Sequence, residues 1–135
     1  MVGAKAVKAR TIAESFRYAA SGLLYVLVTQ RNFRIHCAAG AGVMLAAFLW
    51  DLPRAEIILL LLTITAVLVA EIVNTSIETI VDMVSPAYHP LAAVAKNVAA
   101  GAVLITALSA VAVAFLVFGE RLGRLCLSIF RAGWK

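Results

Sequence analysis

The chain has 135 residues, 64% of them hydrophobic and only 14% charged, with a net charge of +5 from 12 Lys and Arg against 7 Asp and Glu. An ordinary soluble domain is about 45–50% apolar and about 25% charged, and disordered segments need low hydrophobicity; a soluble enzyme and a disordered chain are therefore excluded. Two cysteines, Cys37 and Cys126, are too few for a disulfide scaffold. What remains is a single all-α integral membrane domain over 1–135, an amphipathic surface helix plus three transmembrane helices, whose positive charge suits anionic head groups rather than nucleic acid.

The basic start is followed by no compact apolar stretch with a cleavage site, so a cleaved signal peptide is not expected. Residues 11–29 predict an amphipathic surface helix. Ile12, Phe16, Ala19, Ala20, Leu23 and Leu27 recur at helical spacing, with Arg10, Glu14, Arg17 and Ser21 opposite them. Thr11 with Glu14 three later fits a capping box. Such a helix lies in the membrane interface rather than crossing it. Residues 35–52 give the first span. Its uncharged stretch from Cys37 to Trp50 carries Ala38, Ala39, Gly40, Ala41 and Gly42, small residues that permit close helix approach.

Pro53 opens a long second helix over 54–84, apolar from Ile57 to Ala70. Ser85-Pro86 and His89-Pro90 break the chain again, and a third helix over 92–118 holds the last span. A basic tail follows at 120–135, and reads as another interfacial piece. Six Lys and Arg precede the first span, which places the amino terminus in the cytoplasm. Three spans then carry the tail outside with four basic residues, against the same rule; the larger amino-terminal excess decides the orientation.

The chemistry-bearing stretch is Glu71-Ile-Val-Asn74-Thr75-Ser-Ile-Glu78-Thr-Ile-Val-Asp82. Measured from Glu71 at about 100° per residue, Asn74, Thr75, Glu78 and Asp82 lie at about −60°, +40°, −20° and +20°. All five share one face. About 20 residues from Arg54 end the span near Asn74, which leaves Glu71 just inside the cytoplasmic boundary and Glu78 about 10 Å beyond it. A carboxylate at that depth is costly to bury and is a functional candidate by default. The bland alternative is a helix that leaves the membrane with a solvated polar face. A transmembrane proton relay through Glu71 is a further reading, but Glu78 and Asp82 continue out of the membrane, which suits a metal better. No P-loop motif is present, and His36 and His89 are not at zinc-ligand spacing.

At this stripe the chain resembles the prokaryotic diacylglycerol kinase family of small trimeric membrane lipid kinases. That family's signature takes the form E-[apolar]₂-N-[ST]-x-[apolar]-E-x₃-D. The stretches Arg31-Asn-Phe-Arg-Ile-His36 and His89-Pro-Leu-Ala-Ala-Val-Ala-Lys96-Asn-Val-Ala-Ala-Gly-Ala-Val103 look closest to its Gram-positive undecaprenol kinase branch. The resemblance runs from about residue 10 to 118. It implies ATP- and Mg²⁺-dependent phosphorylation of a lipid alcohol, undecaprenol or diacylglycerol, at the cytoplasmic face of a bacterial inner membrane. It implies Glu71 as the base, Asn74 aligning the site, Glu78 and the position of Gln30 holding Mg²⁺, and Arg34 and His36 beside the lipid. It also implies nucleotide contacts at Arg10, Tyr18, Gln30, Glu78, His89, Lys96 and Asn97, and a homotrimer whose sites lie between subunits. Two positions depart: Gln30 stands where the family usually has a metal-binding Glu, and Asn97 where it has Asp. Both remove a negative charge. A non-catalytic membrane protein that keeps the fold and binds lipid or a partner is the alternative reading.

Overall fold

The computed structural model describes the backbone of residues 11–132 and the side chains of 11–125, 127 and 130. Four helices follow in order: α1 (Ile12–Thr29), α2 (Arg31–Leu49), α3 (Arg54–Val84) and α4 (Pro90–Ala132). Among the described residues there is no strand. α2, α3 and α4 are long and apolar enough to cross a membrane, with mean hydropathy 1.3, 2.5 and 2.5. At 1.5 Å per residue α2 is about 28 Å long, near the roughly 30 Å of a hydrocarbon core, while α3 and α4 exceed it.

Thr11 caps α1 through its side-chain oxygen, which accepts from the Glu14 amide at 3.2 Å. Of α1 only Val26 is buried; the stripe of Ile12, Phe16, Leu23 and Leu27 stays exposed. Gln30 alone separates α1 from α2. Its extended backbone (φ −97°, ψ 113°) stops one helix and starts the next. The last carbonyls of α1 would be orphaned there. Arg34 answers them: its Nη1 donates to the oxygens of Val28 at 2.8 Å and Leu27 at 3.2 Å. A cation suits that end of a helix, where the peptide dipoles leave partial negative charge.

The α2–α3 turn is built as a Schellman cap. The Leu52 amide donates to Ala47 O at 3.0 Å and the Asp51 amide to Phe48 O at 3.2 Å. Asp51 takes the left-handed position with φ 49°, which the short polar side chain of Asp tolerates better than most. Leu52 is thereby folded under the helix end into a cluster with Ala47, Leu60, Val117 and Phe118. Trp50 adds a ring contact to Phe118, with centroids 5.4 Å apart.

α3 and α4 form the main packing pair, and α2 lies against α3. An ion pair joins α3 to α4 near each end: Glu56–Arg121 at 3.0 Å and Asp82–Lys96 at 2.5 Å. The first helix of the pair is longer than the span it contains, and so is the second. α4 begins at Pro90 and runs past Glu120 to Ala132 without a break, so the segment expected as a separate tail starts as its last turns.

The close approach of α2 to α3 falls at Gly40. A Cβ there would sit 2.9 Å from Ile64 Cγ2, whereas one at Gly42 or Gly101 would meet nothing within 4 Å. Ile64 is branched at Cβ and stiff, so it yields little. Alanine gains up to about 1 kcal/mol over glycine in a helix interior, but overpacking costs about 1–3 kcal/mol. Gly40→Ala should therefore lower the thermal midpoint in detergent while Gly42→Ala raises or keeps it; equal effects would show that α2 and α3 part without cost.

Candidate functional site

α3 carries the carboxylate stripe through the boundary of its apolar segment. Within a helix the backbone bonds are satisfied internally, so polar side chains can be held at fixed depth without exposing the main chain. Glu71, Asn74 and Thr75 are the buried polar residues of the described chain, at 3%, 8% and 3% exposure. Glu78 is half-buried and Asp82 exposed. The helical face expected from the spacing is thus a gradient, buried toward the apolar layer and open beyond it.

Asn74 Nδ2 donates to Glu78 Oε1 at 3.1 Å, one turn on. Asn74 Oδ1 is buried and has no partner. Thr75 donates its hydroxyl to Glu71 O at 2.9 Å, and Thr79 repeats that bond to Thr75 O at 2.8 Å. His36 on α2 is half-buried and, with Glu78, lies within electrostatic reach of Glu71. A cavity of about 220 Å³ runs between α2, α3 and α4. His36 and Val67 stand at its Glu71 end, followed by Gly40, Ile64, Leu60 and Ala114. Its lining is almost wholly apolar, which fits a hydrocarbon chain.

A second cavity, of about 240 Å³, is polar and lies at the α3–α4 connection, lined by Asp82, Ser85, Tyr88, His89 and Lys96 among others. Lys96, half-buried, is held by Asp82. His89 caps α4: its Nδ1 accepts from the Leu91 amide at 3.2 Å, ahead of Pro90 in the first helical position. With Nδ1 accepting, a neutral His89 carries its proton on Nε2 and presents a donor.

The sequence-predicted residues thus fall into groups. Glu71, Asn74 and Glu78 share one face of α3 and His36, which lines the apolar cavity, is within reach of Glu71; His89 and Lys96 come together at the polar cavity. Gln30 is the half-buried hinge between α1 and α2, with Nε2 3.4 Å from Thr29 Oγ1. Arg34 has its Nη1 on the α1 carbonyls, a structural bond in addition to any contact with lipid. Tyr18 is on α1 with the Arg17 guanidinium 5.7 Å from its ring, and Asn97 is exposed on α4. Arg10 lies outside the described residues. Among the described residues no three His, Cys, Asp or Glu side chains converge as a metal cage. The Glu78 carboxylate and the unpartnered Asn74 oxygen are hard oxygen donors, which suits a cation that keeps waters and binds mainly through substrate phosphates. Sequence reasoning missed the Glu56–Arg121 clamp. Its signal was present: 26 residues separate Glu56 from Asp82 and 25 separate Arg121 from Lys96, matched spacings on two antiparallel helices.

The sequence is similar to those of known proteins. The chain is 48% identical over 100 residues to a diacylglycerol kinase of Synechocystis sp., a match covering 73% of this chain and 57% of that protein. The chain therefore spans little more than half the length of that relative. It is 37% identical over 109 residues to an undecaprenol kinase of Bacillus subtilis, covering 81% of this chain and 89% of the relative. It is 33% identical over 97 residues to a diacylglycerol kinase of Escherichia coli K12, covering 70% and 77%. Residues 17–118 match the family described as prokaryotic diacylglycerol kinase, to which this multi-pass membrane chain belongs.

Proposed function

We propose that the chain is a lipid kinase that moves the terminal phosphoryl group of ATP to the hydroxyl of a membrane lipid alcohol, undecaprenol or diacylglycerol. The membership of the family and the names of the relatives support a lipid kinase, and a kinase family implies ATP as donor. The observation that carries the reading is Glu71: a carboxylate 3% exposed, within reach of His36, one turn beyond Val67 in the lining of an apolar cavity. The cavity takes hydrocarbon and leaves the hydroxyl at the carboxylate. Glu71 accepts the hydroxyl proton as the oxygen attacks phosphorus and ADP departs. His36 and Arg34 stand on the lipid side, and Arg34 also fixes α1 across the mouth of α2.

Asn74 holds Glu78 in place through its amide nitrogen. Glu78 and Gln30 would hold Mg²⁺, which when bound supplies positive charge against the phosphate oxygens. Lys96 and His89, at the polar cavity, contact the nucleotide, together with Tyr18, Arg10 and Asn97. Three copies would complete the sites. The outward-facing Gly42 and Gly101 leave room for a neighbouring helix. The site works at the cytoplasmic side of the bacterial inner membrane, with the amino terminus inside.

Purified protein with labelled ATP and each lipid alcohol tests the whole reading: absence of phospholipid with both acceptors favours the non-catalytic alternative. Glu71→Gln keeps shape and removes the base, so turnover should fall about 10²–10⁴-fold while ATP binding survives; near-normal turnover refutes the role. Glu78→Gln should raise the Mg²⁺ concentration needed for nucleotide binding, and an unchanged Mg²⁺ dependence would leave it a solvated helix residue. Gln30→Glu restores a charge toward the metal; two unit charges about 4 Å apart interact by roughly 4 kcal/mol at an effective dielectric of 20. The half-saturating Mg²⁺ concentration should therefore drop and the rate at limiting metal rise. No change in either would remove Gln30 from the metal.

A further inference from the structure

The family match ends at Phe118, yet α4 continues to Ala132. No charged residue stands between Lys96 and Glu120, and Arg121 is tied to Glu56 at the start of α3. That pair marks where α4 leaves the apolar layer, on the side away from Glu71. Eleven further residues, 122–132, remain helical and rise about 16 Å beyond it.

These residues are sorted by face. At about 100° per residue, Glu120, Arg124 and Arg121 fall within an arc of about 100°, and Leu125, Leu122, Phe130 and Leu127 occupy the other side over about 200°. Leu122 is 46% exposed and Leu127 59%. Arg124 is exposed as well. An apolar arc of that width exceeds the narrow seam used against one partner helix. It matches a helix sunk lengthwise into a membrane surface, apolar side down and basic side up. Gly123 stands two residues after the tied Arg121, inside the apolar arc, and a Cβ there would meet nothing within 4 Å. No packing calls for glycine at that point, and it makes the helix easier to bend there.

We propose that residues 122–132 form an interfacial helix on the membrane face opposite Glu71, with the apolar arc in the head-group boundary and Arg124 on anionic phospholipid head groups. Charge selects this occupant. Basic residues on the non-cytoplasmic side run against the rule that sets topology, and an anionic surface gives them a binding partner there. This inference does not depend on the kinase reading.

The full chain tests it, with a polarity-sensitive fluorophore on Leu127→Cys in a Cys37→Ala, Cys126→Ala background. Vesicles of phosphatidylcholine are compared with vesicles that also contain phosphatidylglycerol. The probe should be quenched by lipids labelled near the head group and shielded from aqueous iodide, more so with phosphatidylglycerol. One basic residue near an anionic surface is worth about fivefold in the seated-to-free ratio. Arg124→Gln should lower that ratio about fivefold in phosphatidylglycerol vesicles and leave it unchanged in phosphatidylcholine. Equal access of iodide in all vesicles would overturn the proposal. So would shielding that appears only at protein densities where copies touch, which would assign the apolar arc to a second copy. An Arg124→Gln variant indistinguishable from the parent in both vesicles would overturn the head-group contact.

Discussion

The thickness of the apolar layer is the constraint on which the rest depends, and the α3–α4 pair is registered against it by charge. Glu56–Arg121 and Asp82–Lys96 stand at the two ends of the same antiparallel pair. Their mutual attraction is not what fixes the register. The side chains of Lys96 and Asp82 are 36% and 67% exposed, and pairs of that kind contribute about 0–1 kcal/mol. Glu56 and Arg121 are more enclosed, and their 3.0 Å contact is a charge contact without good hydrogen-bond alignment, since Glu56 Oε2 has no aligned donor. Moving a charge inward matters more, at a cost of about 2.5–3.5 kcal/mol at a helix centre in the membrane. A slip of one turn, about 5.4 Å, would unpair both ends and push a charge toward hydrocarbon at one of them.

That register sets the depth of the site. Once Glu56 and Asp82 are placed, Glu71 lies between them on a rigid helix, where the apolar layer gives way to polar surroundings. Thr75 and Thr79 tie their hydroxyls to carbonyls one turn back, so their presence on a greasy helix leaves no donor unsatisfied. The apolar cavity ends at His36 and Val67, and beyond them α2 supplies Ala39 and Gly40, small residues that leave space between the helices.

The helices and the stripe were legible because each is a matter of period. Apolar runs, a capping threonine and two Pro breaks bound α1 and α3 to within a residue, and the 100° rule grouped Glu71, Asn74, Thr75 and Glu78 correctly. What was not legible depends on partners distant in sequence. Gly40 and Gly42 sit in one small-residue run, and only the register of α2 on α3 shows that the first faces Ile64. Arg34 reads as a lipid contact from its place at the membrane edge, and nothing local shows that its Nη1 also closes the end of α1. The α2 start lies at Arg31 rather than 35 because Gln30 breaks the helix by its backbone angles alone, with no Pro or Gly to announce it. The continuation of α4 was hidden for the opposite reason: charge ended the span, but nothing in Glu120-Arg121-Leu122 ends a helix.

The amide of Asn74 places a demand on whatever fills the site. Its orientation sets Nδ2 on a Glu78 oxygen; turned over, it would set two acceptors against each other. The bond therefore belongs with Glu78 as an acceptor, and it polarises the amide so that Oδ1 is the negative end. That oxygen is buried without a donor, a state that costs about 1–3 kcal/mol. Thr75 cannot relieve it, because its hydroxyl is already on Glu71 O. Whatever completes the site must therefore bring positive charge or a hydrogen-bond donor to Asn74, on the same helix face as Glu71. A nucleotide carrying its cation meets that demand, as does a basic side chain from a neighbouring copy. An apolar lipid tail meets it in no orientation, so in the proposed reaction the tail goes to the apolar cavity past His36 and the polar substrate to the Asn74–Glu78 side.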